Sequence, residues 1–217
     1  PTNKIGDGVL YKGYTVGDIW GYETGGILQE SDFDGVGPNG KPLYHGAYFK
    51  GGQPYPGYVW YQDLDHDGVI TSGLSTVDDP GDKKVIGNNA PRYRYNITAN
   101  FQYKGFDLDL MFQGVGKRDY WLKDVSSYWG GGAGSWETYN QSWTPERTDA
   151  KFPMYGSGIG SYAQSGYLLD ASYIKLKQVI LGYTFPKALI GKVGLEKLRL
   201  NIAAYNLFTL SDVPKYY

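Results

Sequence analysis

Residues 93–116 constrain the fold more than any other part of the chain. Tyr95, Ile97, Ala99, Phe101 and Tyr103 alternate with Arg94, Asn96, Thr98, Asn100 and Gln102. After Lys104-Gly105 the pattern resumes, with Phe106, Leu108, Leu110 and Phe112 against Asp107, Asp109, Met111 and Gln113. Successive side chains of a strand point to opposite faces, so this period of two on both sides of a tight turn predicts a β-hairpin with one apolar and one polar face. Each arm is about 10 residues long, the length a tilted strand needs to cross a bilayer. Tyr103 and Phe106 flank the turn and Tyr93 and Tyr95 stand at the far end, the aromatic-girdle arrangement of membrane barrels. Alternation alone leaves two readings open: a transmembrane barrel, or a soluble sandwich whose apolar face packs a core.

A second hairpin is expected over 173–209. In the arm 197–209, Leu198, Leu200, Ile202 and Ala204 alternate with Arg199, Asn201, Ala203 and Tyr205. In the arm 173–184 the phase slips between Ile174/Leu176 and Val179/Leu181/Tyr183, which a β-bulge near Lys177-Gln178 reconciles. Short turns within the hairpins and the long polar, aromatic connection 117–166 between them give the asymmetry of outer-membrane barrels. Residues 1–92 read as barrel strands and extracellular loop, and 93–217 as the C-terminal barrel hairpins.

Composition narrows the function. Lys and Arg number 21 against 22 Asp and Glu, so no surplus of positive charge is available for nucleic acid. There is no cysteine, and the two histidines are His45 and His66, which leaves little for thiol, zinc or triad chemistry. Glu137 and Glu146 have no spacing that defines a glycosidase cleft. No catalytic residue is expected. Nowhere do about 18 apolar residues run together, as a spanning helix requires, but barrel strands carry no such run.

Asp63-Leu64-Asp65-His66-Asp67-Gly68-Val69-Ile70-Thr71 is the sharpest local motif. Carboxylates at alternate positions, a glycine for the sharp turn and a following carbonyl begin an EF-hand-like calcium loop. Asp63, Asp65, Asp67, the Val69 carbonyl and Thr71 are the candidate ligands of a structural Ca2+ or Mg2+. Leu74 stands where a bidentate acid is expected, so one of Asp78, Asp79 and Asp82 must close the site across an insertion. The other reading is a solvated acidic turn. Trp121, Tyr128, Trp129, Trp136 and Tyr139 are candidate cargo contacts, since exposed rings stack on sugars; equally, such rings pack a loop on itself.

The run Trp60-Tyr61-Gln62-Asp63 to Ile70, followed by Val85-Ile86-Gly87-Asn88-Asn89-Ala90-Pro91, resembles the SusC/RagA family of TonB-linked outer-membrane proteins. So do Tyr103-Lys104-Gly105-Phe106-Asp107-Leu108, Phe112-Gln113-Gly114, Leu168-Leu169-Asp170-Ala171-Ser172-Tyr173, Leu181-Gly182-Tyr183 and Asn206-Leu207-Phe208, in family order. The resemblance implies an all-β fold, part of a 22-stranded barrel with an N-terminal plug, in the outer membrane of a Bacteroidetes-type bacterium. It implies import of oligosaccharides or peptides, energised by the TonB complex and assisted by a SusD-like surface lipoprotein. It also points to Asp82, just before the Ile-Gly-Asn run, as the closing metal ligand. At 217 residues the chain is too short for plug and barrel together, so a C-terminal fragment is expected. The competing expectation is a soluble, calcium-stabilised β-sandwich that binds carbohydrate.

Overall fold

The computed structural model describes residues 3–6, 10–121, 136–157 and 162–213. In chain order the strands are β1 (Asp18–Tyr22), β2 (Thr24–Ile27), β3 (Phe33–Val36), β4 (Pro42–Tyr44), β5 (Tyr48–Phe49), β6 (Val59–Tyr61), β7 (Val69–Ile70), β8 (Lys83–Asn88), β9 (Tyr93–Tyr103), β10 (Phe106–Gly116), β11 (Asp119–Trp121), β12 (Leu168–Asp170), β13 (Tyr173–Thr184) and β14 (Arg199–Ser211). Two α-helical turns, α1 (Trp136–Asn140) and α2 (Lys187–Ile190), and short 3-10 turns at Glu30–Asp32, Ser165–Tyr167 and Gly191–Val193 accompany them among the described residues. The chain divides into two units, one of residues 1–90 and 119–169 and the other essentially of 91–118 and 170–215.

The second unit is one antiparallel sheet of order β14-β13-β10-β9. The β9–β10 turn is Lys104-Gly105, with φ of 47° and 87°. Two positive φ values make a primed turn, whose twist matches that of the flanking strands; glycine supplies the second at no steric cost. Phe106 faces Tyr103, and the register runs without a break to Gly116 opposite Tyr93. β10 then pairs with β13, Leu108 facing Leu181, and β13 with β14, Leu181 facing Ile202. Both pairings shift at Lys177: Phe112 faces Leu176 while Met111 faces Gln178. This extra residue returns Ile174 and Leu176 to the face of Val179, Leu181 and Tyr183.

The sheet therefore has an apolar face built from Ile97, Phe101, Leu108, Phe112, Leu181, Ile202 and their neighbours. Its outer members stay open: Phe101 is 58 % exposed, Ile97 54 % and Ile202 76 %. A soluble sandwich buries such a face under a second sheet. Here the strands are 11 to 13 residues long and the face is uncovered.

The first unit is built differently. Its strands have two to six residues, short of a bilayer crossing, so the spanning-length strands of the described chain begin at Tyr93 rather than within 1–92. They form two-stranded ribbons, β1 with β8, β2 with β6, β3 with β4 and β11 with β12, and a short parallel pair β5 with β7. Tyr22, Tyr61 and Ile70 make its buried core, with Phe49 and Val59 against them. Much of the connection 117–166 packs into this unit. The Tyr22 N–H donates to the Ala163 carbonyl (2.9 Å), the Met154 N–H to that of Gly57 (2.8 Å), and the buried Trp143 indole N–H to Gln29 Oε1 (3.0 Å). Gln164, fully buried, donates to the Tyr61 hydroxyl (3.2 Å). The described part of this stretch, expected as one long loop, buries Trp143, Phe152 and Gln164 in the first unit.

Candidate metal loop and aromatic surfaces

The acidic loop leaves β6 and returns through β7. His66 and Gly68 take positive φ (62° and 84°), and these turns fold the side chain of Asp63 back over its own loop. Its two carboxylate oxygens accept the N–H groups of His66 (2.7 Å) and Gly68 (2.8 Å). Asp65 accepts the Asp67 N–H (3.2 Å), and Asp67 that of Val69 (2.8 Å). Asp82 arrives from the far side of the insertion, just before β8. Fully buried, it accepts the N–H groups of Leu64 and Thr71, each at 2.7 Å, and its own N–H reaches the Thr71 carbonyl (3.1 Å).

One carboxylate oxygen from each of Asp63, Asp65 and Asp82 lies within 4.8 Å of the other two. Asp67 is outside that group. The Thr71 hydroxyl accepts the Gly73 N–H (3.2 Å), and Val69 takes its place in β7. Asp78 and Asp79 belong to the insertion, where Asp79 accepts the Leu74 N–H (3.3 Å).

The donor set suits a hard divalent cation: carboxylate oxygens with lone pairs remaining after the N–H bonds are counted. Among the described residues, no lysine, arginine or histidine forms an ion pair with the three acids. Desolvation opposes the Asp63 charge, but the N–H groups of Gly68 and His66 outweigh it and hold that carboxyl below its usual range. At Asp65 the Asp67 N–H favours the charge, yet desolvation and the neighbouring charges of Asp67 and Asp82 push the carboxyl up. A cation at this point relieves the repulsion that raises it.

The candidate aromatic contacts separate. Trp121 ends β11 and is half-buried. Trp136 and Tyr139 lie one turn apart on α1, rings stacked at 5.9 Å, with Tyr155 edge-on to Tyr139 at 6.1 Å. Trp136 is 76 % exposed, so these rings form an open platform. Tyr128 and Trp129 lie outside the described residues.

Sequence reading did not find a cavity of about 310 Å3 beside the core, lined by Tyr48, Phe49, Tyr58, Trp60, Tyr61 and Tyr162 among others. The aromatics named come from three separate stretches, 48–49, 58–61 and 162, which local sequence patterns do not connect.

No protein-family model matches the chain. It is 31 % identical over 209 residues to TonB-dependent receptor P3 of Formosa agariphila, covering 95 % of this chain and 19 % of that protein. TonB-dependent receptor P26 of the same organism is 29 % identical over 156 residues, 70 % of this chain and 15 % of that protein. Among solved structures, the RagAB peptide transporter superposes with a TM-score of 0.59 at 18 % identity, over 89 % of this chain and 19 % of that one. The RagAB peptide importer in its open-open state gives 0.57 at 20 % identity, over 94 % and 20 %. The chain thus spans about a fifth of the length of its fuller matches.

Proposed function

We propose that this chain, which belongs to the SusC/RagA type of TonB-dependent receptors, supplies four transmembrane strands and an extracellular unit to an outer-membrane nutrient importer. The observation that carries the reading is the uncovered apolar face of β9, β10, β13 and β14. Burying a large apolar side chain is worth about 1.5–3 kcal/mol, so a row of them left in water is costly, and lipid is the environment that removes the cost. The opposite face, with Asn96, Asn100, Asp107, Asp109, Gln113 and Asn201, then lines the lumen or meets the plug.

In this frame the Lys104-Gly105 turn is periplasmic and the first unit is external, following the short-turn, long-loop rule of such barrels. TonB energises transport through the N-terminal part of the receptor, and a SusD-like lipoprotein caps it. Cargo is an oligosaccharide or a peptide. The relatives' shared name supports TonB-coupled import, and the RagAB likeness supports the barrel fold. The exposed Trp136–Tyr139–Tyr155 rings are the cargo contacts the described residues offer. Asp63, Asp65 and Asp82 hold a structural calcium or magnesium ion that ties the insertion 72–81 to the loop.

Lipid contact is tested by placing a tryptophan at Phe101 or at Asn100 in the full-length receptor, in vesicles containing brominated lipid. Quenching of Phe101→Trp and not of Asn100→Trp is expected. Equal quenching at both positions, or none at Phe101→Trp, sinks the reading.

A further inference from the structure

The connection between β13 and β14, residues 185–198, is ordered, yet it leaves most of its aliphatic side chains in water. It is formed by α2 and the 3-10 turn that follows, and two backbone bonds close it. The Gly194 N–H donates to the Gly191 carbonyl (3.1 Å) and the Leu195 N–H to that of Ile190 (3.2 Å), with Gly194 at φ 73°. These are the paired bonds of a Schellman end, where glycine takes the left-handed conformation without a Cβ penalty. Ile190 is buried, whereas Leu189 is 60 % exposed, Val193 73 % and Leu195 45 %. Lys187, Lys192 and Lys197 stand among them, all exposed, and none forms an ion pair with a described residue. Glu196 is the single acid of the connection.

This connection leaves the sheet at the Lys104-Gly105 end, where the Thr184 N–H donates to the Gly105 carbonyl (2.7 Å). The apolar face ends there in rings: Phe106 lies 4.5 Å from Tyr183, and Tyr183 4.9 Å from Phe185. Tyr103 is exposed beside them, with the Lys104 amine 5.2 Å over its ring. Rings at the end of a lipid-facing surface mark the depth at which hydrocarbon gives way to headgroups. From this geometry we propose that residues 187–197 are a docking surface for anionic phospholipid of the periplasmic leaflet. Leu189, Val193 and Leu195 enter the acyl boundary, while the lysines extend their stems along it and set their amines on headgroup phosphates. Three lysines against one glutamate complement an anionic lipid better than a zwitterionic one. The inference rests on the importer reading, because only there does the adjoining face lie in lipid.

The test uses the full-length receptor in phosphatidylcholine vesicles that carry an equal minor fraction of brominated phosphatidylglycerol or of brominated phosphatidylcholine. Val193→Trp, at an exposed position, reports through its emission relative to the parent. Brominated phosphatidylglycerol is expected to quench it about threefold more than brominated phosphatidylcholine, as lysines beside an anionic surface imply. In Lys187→Gln/Lys192→Gln/Lys197→Gln that excess is lost while quenching by brominated phosphatidylcholine stays. Lys187→Arg/Lys192→Arg/Lys197→Arg keeps the excess. Single Lys192→Gln lowers it and gives a readout should the triple variants not fold. Equal quenching by the two lipids, an excess that survives the glutamines, or no quenching of Val193→Trp overturns the docking surface. Phe101→Trp is read alongside with brominated phosphatidylcholine. Its failure to quench refutes the importer reading, whereas normal quenching there with no anionic excess at Val193→Trp refutes only the docking surface.

Discussion

Asp107 and Arg199 sit on strands that are not neighbours, and their side chains meet across Gly182 of the strand between them. Arg199 Nε donates to Asp107 Oδ1 (3.1 Å) and its Nη2 to Oδ2, a forked pair. A Cβ at Gly182 would lie 2.5 Å from the Asp107 carboxylate and 2.6 Å from the Arg199 guanidinium. The glycine in Leu181-Gly182-Tyr183 is therefore the gap through which β10 and β14 are tied on the polar face. Gly182→Ala should break the pair or push the strands apart, at about 1–3 kcal/mol for overcrowding. In the full-length receptor, the folded form's migration in a detergent gel should then be lost at a lower temperature. Arg199→Lys, which keeps the charge and loses the fork, should fall between the two; a Gly182→Ala barrel as heat-resistant as the parent would refute the bridging role.

The acidic loop yields a second prediction. A ligand bound to the folded state at a hundredfold excess over its Kd adds about 2.7 kcal/mol, so calcium should raise the melting temperature of the first unit and chelator should remove the gain. Asp82→Asn should abolish the calcium response, since Asp82 alone anchors the far side of the insertion. Asp67→Asn should leave much of it, since Asp67 stands outside the carboxylate cluster. Identical melts with calcium and with chelator would dismiss the cation.

Alkaline pH should attack the core of the first unit. Burial, with Tyr162 and Asp82 nearby, pushes the Tyr22 phenol up to about 12, and burial raises Tyr61 as well. The unfolded phenol titrates near 10, so the folded state holds its proton more tightly. The resulting stability is fully present below about pH 10 and is lost as pH rises from there through about 12. Absorbance titration should show exposed tyrosines ionising first and these two only as the unit opens. Tyr22→Phe should ease the alkaline loss; an unchanged profile in that variant would assign it elsewhere.

How far the sequence carried depended on whether a pattern was local. The β9–β10 hairpin was legible because alternation on both sides of a glycine turn leaves one register that keeps Phe101 and Leu108 on one face. The pairing of β10 with β13 was not, since two alternating strands do not say which lies beside which. The burial of Tyr22, Tyr61, Trp143 and Gln164 in the first unit was hidden for a related reason. These residues are far apart in sequence, and the stretch that brings half of them is rich in glycine and serine. The closeness of Asp63 and Asp65 follows from their local spacing, whereas Asp82 joins their carboxylates from beyond an insertion, and spacing alone did not choose it over Asp78 and Asp79. Trp136 and Tyr139 were legible as exposed rings, but not as neighbours on one helical turn.

The bulge at Lys177 offers the sharpest test of lipid against core. It lets Ile174 and Leu176 share a face with Val179 and Leu181, although their numbers differ in parity. Deleting Lys177 while the lower half of β13 keeps its register should turn Ile174 and Leu176 into the lumen and Lys175 toward the lipid. A lysine on the lipid face costs about 2–4 kcal/mol at the midplane and less near the interface, and the transfer of two apolar side chains adds to it. Lys177→Ala keeps the extra residue and should insert normally. The deletion should lower the yield of folded, protease-resistant barrel in vesicles severalfold. Equal yields from the two variants would mean that what covers this face does not distinguish its residues, which a bilayer must.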